Sequence, residues 1–273
     1  MSLIVIASAK GAPGASTTAL AMAGVWPRQS LLAELDPLGS DLVYRQVAPT
    51  GDVLDPNRGM FSMALAARGG LTPDVIREHT QHLPGDQEIL VGLSRPEQGA
   101  AWGAHWDRLG RVLAAPGSTD VIADIGRLYP DAPTMALLPH ASLVLLVART
   151  NAEDLAHVRA RATAVHQRLA AAGRRVAPVG VLLVAPLRQQ TQAADAAIRV
   201  LAGSGAPVQV AGVVAFDPRA AEQLAGRRRG RTHKTQLVGS VRTIVANLEK
   251  RFGIGQAAEE SVSAREDLEG AAR

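Results

Sequence analysis

There is no cysteine among the 273 residues, which excludes disulfides, thiolate metal sites and a cysteine nucleophile. Aromatic residues make up only 3%, so a core must be assembled from Ala, Val, Leu and Ile. No apolar stretch reaches the roughly 18 residues that a membrane-spanning helix requires. The opening MSLIVIASAK is apolar but has neither a basic leader nor a cleavage segment, and it reads as a strand rather than a signal peptide. The expectation is a soluble, cytoplasmic protein. H-E-x-x-H is missing too, and His79 and His82 of HTQH, with no cysteine to join them, do not make a metal site.

What is present is unevenly spread. The net charge is only +4, but Arg227, Arg228, Arg229, Arg231 and Lys234 crowd one segment. Such a cluster can touch DNA phosphates without reading sequence, although no aromatic residues interleave with it for base stacking; a solvated loop is the plainer reading. Residues 253–273 carry Glu259, Glu260, Glu266, Asp267 and Glu269 against Arg265 and Arg273, without an apolar period. They are expected to form an acidic, disordered tail.

Short, continuous apolar runs occupy 3–9, 31–35, 89–93, 121–125, 143–148, 179–184 and 208–215. Unbroken rather than alternating runs suit strands buried on both faces of a parallel sheet. Helical periodicity falls between most of them, at 15–26, 152–172 and 195–202, with a short helix near 61–67 inside a Pro- and Gly-rich loop. GSG at 203–205 is read as a turn. A final helix over 235–252 repeats Leu237, Val241, Ile244, Val245, Leu248 and Phe252 on one side. It reads as a helix packed on the sheet, the alternative being one lying on a membrane surface. The class is therefore α/β: a doubly wound, mostly parallel sheet with helices on both faces, formed as one domain over 1–252. Ligands of such sheets bind at the carboxyl ends of the strands.

Three strand ends carry chemistry. The first is LIVIASA–KGAPG–ASTTALAMA, a glycine-bearing turn between a buried strand and a helix start, which aims backbone N–H groups and the helix dipole at an anion. Where a Walker loop has lysine before Ser/Thr, this chain has Ala15, followed by Ser16 and Thr17; Lys10 is the lysine available. The second is LLAELDPLG, which delivers Glu34 and Asp36. Two apart on a strand, they face one way and could orient water or bind Mg²⁺. The third is DVIADIG, where a buried strand ends in Asp124 and then Gly126. An ordinary βα turn and helix-capping aspartates would account for each alone, but not readily for all three together.

These motifs resemble the ParA/MinD family of deviant-Walker P-loop ATPases, whose loop K-G-G-x-G-K-T-T stands here as K-G-A-P-G-A-S-T-T. The likeness runs from residue 1 to about 252, through ASLVLLVART, VGVLLVAP and VAGVVAFDPRAAEQLAG. It implies that Lys10 is the signature lysine that reaches a dimer partner's nucleotide. It also implies that Gly11, Ala12, Pro13, Gly14, Ala15, Ser16 and Thr17 cradle ATP or ADP, and that Ser16 and Asp124 serve Mg²⁺. Asp36 would orient water. Two departures stand out: Ala15 replaces the phosphate-gripping lysine, and Val184, Ala185 and Pro186 occupy the place of a base-holding asparagine. The K-G-x-P-G-x-T-T loop, WPR and ExDPxG also resemble an actinobacterial-type subgroup near Flp/Tad pilus components, the TadZ/CpaE kind. Those proteins usually carry a receiver-like domain ahead of the loop, whereas this sequence opens at it.

The resemblance implies a protein that positions a cargo, in chromosome or plasmid partition or in pilus or secretion machinery, by nucleotide-dependent homodimerisation. With Ala15, nucleotide binding is expected to be weak and hydrolysis very slow. The alternatives are a pseudo-ATPase scaffold that never turns over and a sequence-independent DNA-binding module using the arginine cluster.

Overall fold

A computed structural model describes residues 2–11, 13–117, 119–202 and 207–254, apart from the side chain of Glu249. The seven apolar runs become β1 (Leu3–Ser8), β2 (Ser30–Glu34), β4 (Gln87–Leu90), β5 (Asp120–Arg127), β6 (Leu143–Arg149), β7 (Val179–Ala185) and β8 (Gln209–Ala215), joined by a short β3 (Gln81–Leu83). Among the described residues they form one sheet, ordered β3-β4-β2-β5-β1-β6-β7-β8. Every pairing is parallel except that of β3 with β4. The runs are continuous because both faces are covered. Leu3, Val5 and Ala7 enter one core layer, and Ile4 and Ile6 the other.

The layer holding Leu3 and Val5 is closed by α2 (Met60–Ala66), α3 (Pro73–Glu78), α4 (His105–Leu113), α5 (Ala152–Ala171) and α6 (Gln190–Ala202). The opposite layer is closed by α1 (Ala15–Ala23), α7 (Pro218–Leu224) and α8 (Gln236–Phe252). Ala19, Ala21 and Ala23 of α1 are buried, and such small side chains let the helix lie close to the sheet and to α8. The periodic face of α8 is buried as well, Val241 and Leu248 completely, so this helix packs inward. Among the described residues no helix is long and apolar enough to cross a membrane.

The structure corrects several boundaries. α1 stops at Ala23, and Gly24 begins the turn that carries Trp26 out of the helix. α6 starts at Gln190 rather than at 195. Two short helices open on an N-cap followed by proline, Thr72–Pro73 for α3 and Asp217–Pro218 for α7. Such pairs are start signals. α4 hides behind polar residues but buries Trp106, Leu109 and Leu113. The GSG turn and the acidic tail beyond Ile254 lie outside the described residues.

Candidate functional site

β1 is fully buried and hands the chain to a tight turn. Gly11 and Gly14 hold φ of +66° and +100°, a region closed to most side chains, and a Cβ on either would point into open space. Gly14 is also the N-cap of α1. It gives the helix no side-chain cap, and the first turn has no acidic residue. The first N–H groups and the positive end of the dipole are thus offered to a cleft of about 380 Å³, bordered by Gly11 and residues 13–17 on one side and by Asp36 and Gly126 on another. Ala12 lies outside the described residues. The Thr18 hydroxyl turns back to donate to the Gly14 carbonyl at 2.8 Å. Ser16 is exposed and hydrogen-bonds Asp124. Ala15 borders the cleft but brings only a methyl group to it.

β2 ends at Glu34, so Asp36 lies one residue past Leu35 in the loop that follows, yet both carboxylates border the same cavity. Glu34 is 2% exposed. The Ser40 hydroxyl and the Gly92 N–H, the latter at 3.1 Å, donate to its carboxylate. Burial pushes its carboxyl up to about 7, against the pull of those two hydrogen bonds, with Asp124 and Asp41 adding repulsion. Asp36 accepts from the Leu38 N–H at 2.8 Å; burial first, then Asp124, lifts it to about 6. Burial also raises Asp124, opposed by bonds from Ser16 and the Gly126 N–H, the latter 3.0 Å long. All three acids border one cavity of about 230 Å³, which Ser16 also lines. Among the described residues no three His, Asp or Glu side chains converge as a metal cage. A cation here would depend on Ser16 and on oxygens of a ligand.

Gly126 controls the position of Asp36. It has φ +64°, and a Cβ there would fall inside the Asp36 carboxylate. Gly126→Ala is expected to expel Asp36 from the cleft and to cost roughly 1–2 kcal/mol for the left-handed backbone alone. Thermal unfolding checks this; a melting temperature equal to the wild type's would show that both residues move freely.

Lys10 is exposed, and its Nζ lies 3.1 Å from Nε2 of His157 on α5, so it leaves its own loop and faces outward. The arginine cluster divides. Arg228, Arg229, Arg231 and Lys234 are exposed on the loop after α7, while Arg227 borders the cleft and pairs with Glu222 at 2.9 Å. In HTQH, His79 Nδ1 meets the Ser62 hydroxyl at 2.8 Å, and His82 pairs with Asp86 at 3.3 Å; the two serve separate local contacts. A second cleft beside the turn, about 170 Å³, is walled by Phe216, Pro218 and Val184, which is apolar where the resemblance calls for asparagine nearby. Sequence reasoning missed Arg45 and Arg127, which also border the main cleft. The place of Arg127 directly after DIG, at the end of β5, was a signal for it; Arg45 had none.

No protein-family model matches the chain, and no curated protein does. Solved structures do. A ParA family ATPase from Chlorobium tepidum TLS superposes with a TM-score of 0.69 at 15% identity, over 90% of this chain and 99% of that one. The septum site-determining protein MinD of Pyrococcus horikoshii OT3, complexed with Mg-ADP, gives 0.63 at 16% identity, over 93% and 98%. A variant of Cyanothece McdA in complex with ATP gives 0.64 at 17% identity, over 93% and 97%. At these identities the likeness establishes the fold: this chain has the P-loop architecture of the ParA/MinD ATPases.

Proposed function

We propose that this chain is a ParA/MinD-type nucleotide-binding protein that takes a Mg-nucleotide at the start of α1, and that the bound nucleotide brings two copies together to position a larger cargo. The observation that carries this reading is the meeting of three strand ends. The glycine turn after β1, Asp36 after β2 and Asp124 on β5 open on adjoining cavities that share Ser16 and Asp36. The backbone donors suit phosphates. The donor set also fits magnesium: the Ser16 hydroxyl, held by Asp124, would bind the ion together with phosphate oxygens. Magnesium supplies charge neutralisation between the phosphates.

Asp36, mostly ionised above about pH 6, is the side chain available to orient a water molecule. Ala15 contributes no charge. Removing one preorganised donor slows a reaction by about 10²–10³, so binding outlasts turnover. Ala15 also favours a second reading, a scaffold that binds nucleotide and never hydrolyses it. Outward-facing Lys10 supports pairing through the nucleotide face, since a two-fold dimer would set each Lys10 against the partner's phosphates.

Calorimetric titration of the wild type with ATP and ADP, each with Mg²⁺, is expected to give weak binding, with dissociation constants of roughly 10 μM to 1 mM, and hydrolysis at or near background. No heat and no thermal shift at millimolar nucleotide would sink the reading. Light scattering should show a Mg-ATP-dependent dimer that Lys10→Ala abolishes; a monomer throughout removes the dimer from the proposal.

A further inference from the structure

Ala15 leaves the phosphate end of the cleft without its usual cation, yet three guanidinium groups border that same cleft: Arg45, Arg127 and Arg227. They come from separate parts of the chain. Arg127 is the last residue of β5, one step past Gly126, and is exposed. Among the described residues no carboxylate lies within salt-bridge distance of it. Its charged neighbour is another arginine, Arg161 of α5. Burial lowers the pKa of Arg161, and the charge of Arg127 lowers it further. The Nε of Arg161 is buried without a hydrogen-bond partner. Two guanidiniums that feel each other's charge repel, and an anion bound at Arg127 relieves that repulsion.

The facing wall is built to hold the other two. The Gln46 side-chain amide donates to the Leu224 carbonyl at 2.5 Å. Gly226, at φ +74°, lies so close to the Arg45 carbonyl that any Cβ would collide with it. The loop after β2 and the end of α7 are thus latched together, and Arg45 and Arg227 border the cleft from that latch. They pair with Asp41 and Glu222. Both pairs are partly exposed, and surface pairs of this kind are weakly held. A polyphosphate, with more charge and with oxygens matched to a guanidinium fork, is the stronger partner.

We infer that Arg127, assisted by Arg45 and Arg227 across the cleft, supplies the positive charge on the ligand's phosphate chain that residue 15 does not. The inference rests on the nucleotide reading above. It assigns to three arginines the gripping task that a loop lysine would perform.

The test is calorimetric titration with Mg-ATP, Mg-ADP and AMP. The proteins are the wild type, Arg127→Ala, Arg127→Lys, the triple Arg45→Ala/Arg127→Ala/Arg227→Ala variant, and Ala15→Lys placed in Arg127→Ala. Arg188→Ala, which removes an exposed arginine before α6, is the control. Arg127→Ala is expected to weaken Mg-ATP about 10-fold or more, the scale of a charge-assisted hydrogen bond, with less effect on Mg-ADP and least on AMP. Arg127→Lys should lose less, Ala15→Lys should restore affinity to Arg127→Ala, and Arg188→Ala should bind as the wild type does. Because Arg127 is exposed, its melting temperature should hold, which separates lost binding from lost folding. Wild-type ATP affinity in the triple variant overturns this inference and leaves the nucleotide reading standing. A wild type that binds no nucleotide overturns both.

Discussion

Glu34→Gln is expected to stabilise the protein at pH 8 by on the order of 3 kcal/mol. Glu34 is buried at the end of β2 and its pKa is lifted from 4.5 to about 7, chiefly by burial. Each unit of such a shift corresponds to about 1.4 kcal/mol between the two protonation states. The folded-state value lies above the unfolded one, so the folded protein binds the proton more tightly. The stabilisation is complete below about pH 4.5 and is lost as the pH rises through about 7. Above that range the folded state holds a buried carboxylate that it would bind better protonated. Glutamine keeps the shape, still accepts from the Gly92 N–H and offers an amide to the Ser40 hydroxyl, and it has no charge to bury. Urea unfolding at pH 5 and pH 8 is the measurement. The wild type should lose stability between the two, and the variant should lose less. A residual slope of the same sign is expected from Asp36 and Asp124, which burial also raises. A variant less stable than the wild type at pH 8 would show that the ionised carboxylate holds the 36–41 loop more strongly than its burial opposes it.

Asp120→Ala is expected to be the most damaging single change, at about 3–4 kcal/mol. Asp120 opens β5 and is 2% exposed. It accepts from the Ser2 N–H at 2.7 Å, from the Trp26 indole at 2.8 Å and from Arg28 at 2.8 Å. One carboxylate thereby ties the start of β1, the end of the α1 turn and the start of β5. Arg28 also lies over the Trp26 ring, 5.9 Å from its centroid. Alanine would leave a backbone donor and an indole donor buried without acceptors, each worth about 1–3 kcal/mol. The Arg28 side chain is 38% exposed, so water can recover part of its loss, which keeps the estimate below that for a fully buried pair. Denaturant unfolding should show the loss, with the melting temperature falling by roughly 10 °C. Asp120→Asn, which keeps one acceptor, should fall between. Asp120 lies at the opposite end of β5 from the cleft, so nucleotide affinity below the transition should not change. A loss under 1 kcal/mol would mean that these donors find water instead.

The sequence by itself determined the class of fold and the location of the site. Strands buried on both faces must be apolar throughout, and that imprint is local, so all seven runs were legible. β3 was not, because Gln81–Leu83 is a three-residue, half-exposed edge strand whose place is set by pairing with β4. The glycine turn was legible because the φ values at Gly11 and Gly14 require glycine. Asp36 and Asp124 were legible because a carboxylate ending an apolar run is conspicuous. Only the tertiary structure decided what surrounds them. Glu34 reads in the sequence as a second site acid; the fold buries it and gives it the Ser40 hydroxyl from the following loop and the Gly92 N–H from a distant part of the chain as donors. Arg227 looked like one of a surface cluster until the latch between Gln46 and Leu224 set it at the cleft beside Arg45. Convergence of this kind follows from how the crossovers bring strand ends together, and short-range periodicity carries no record of it.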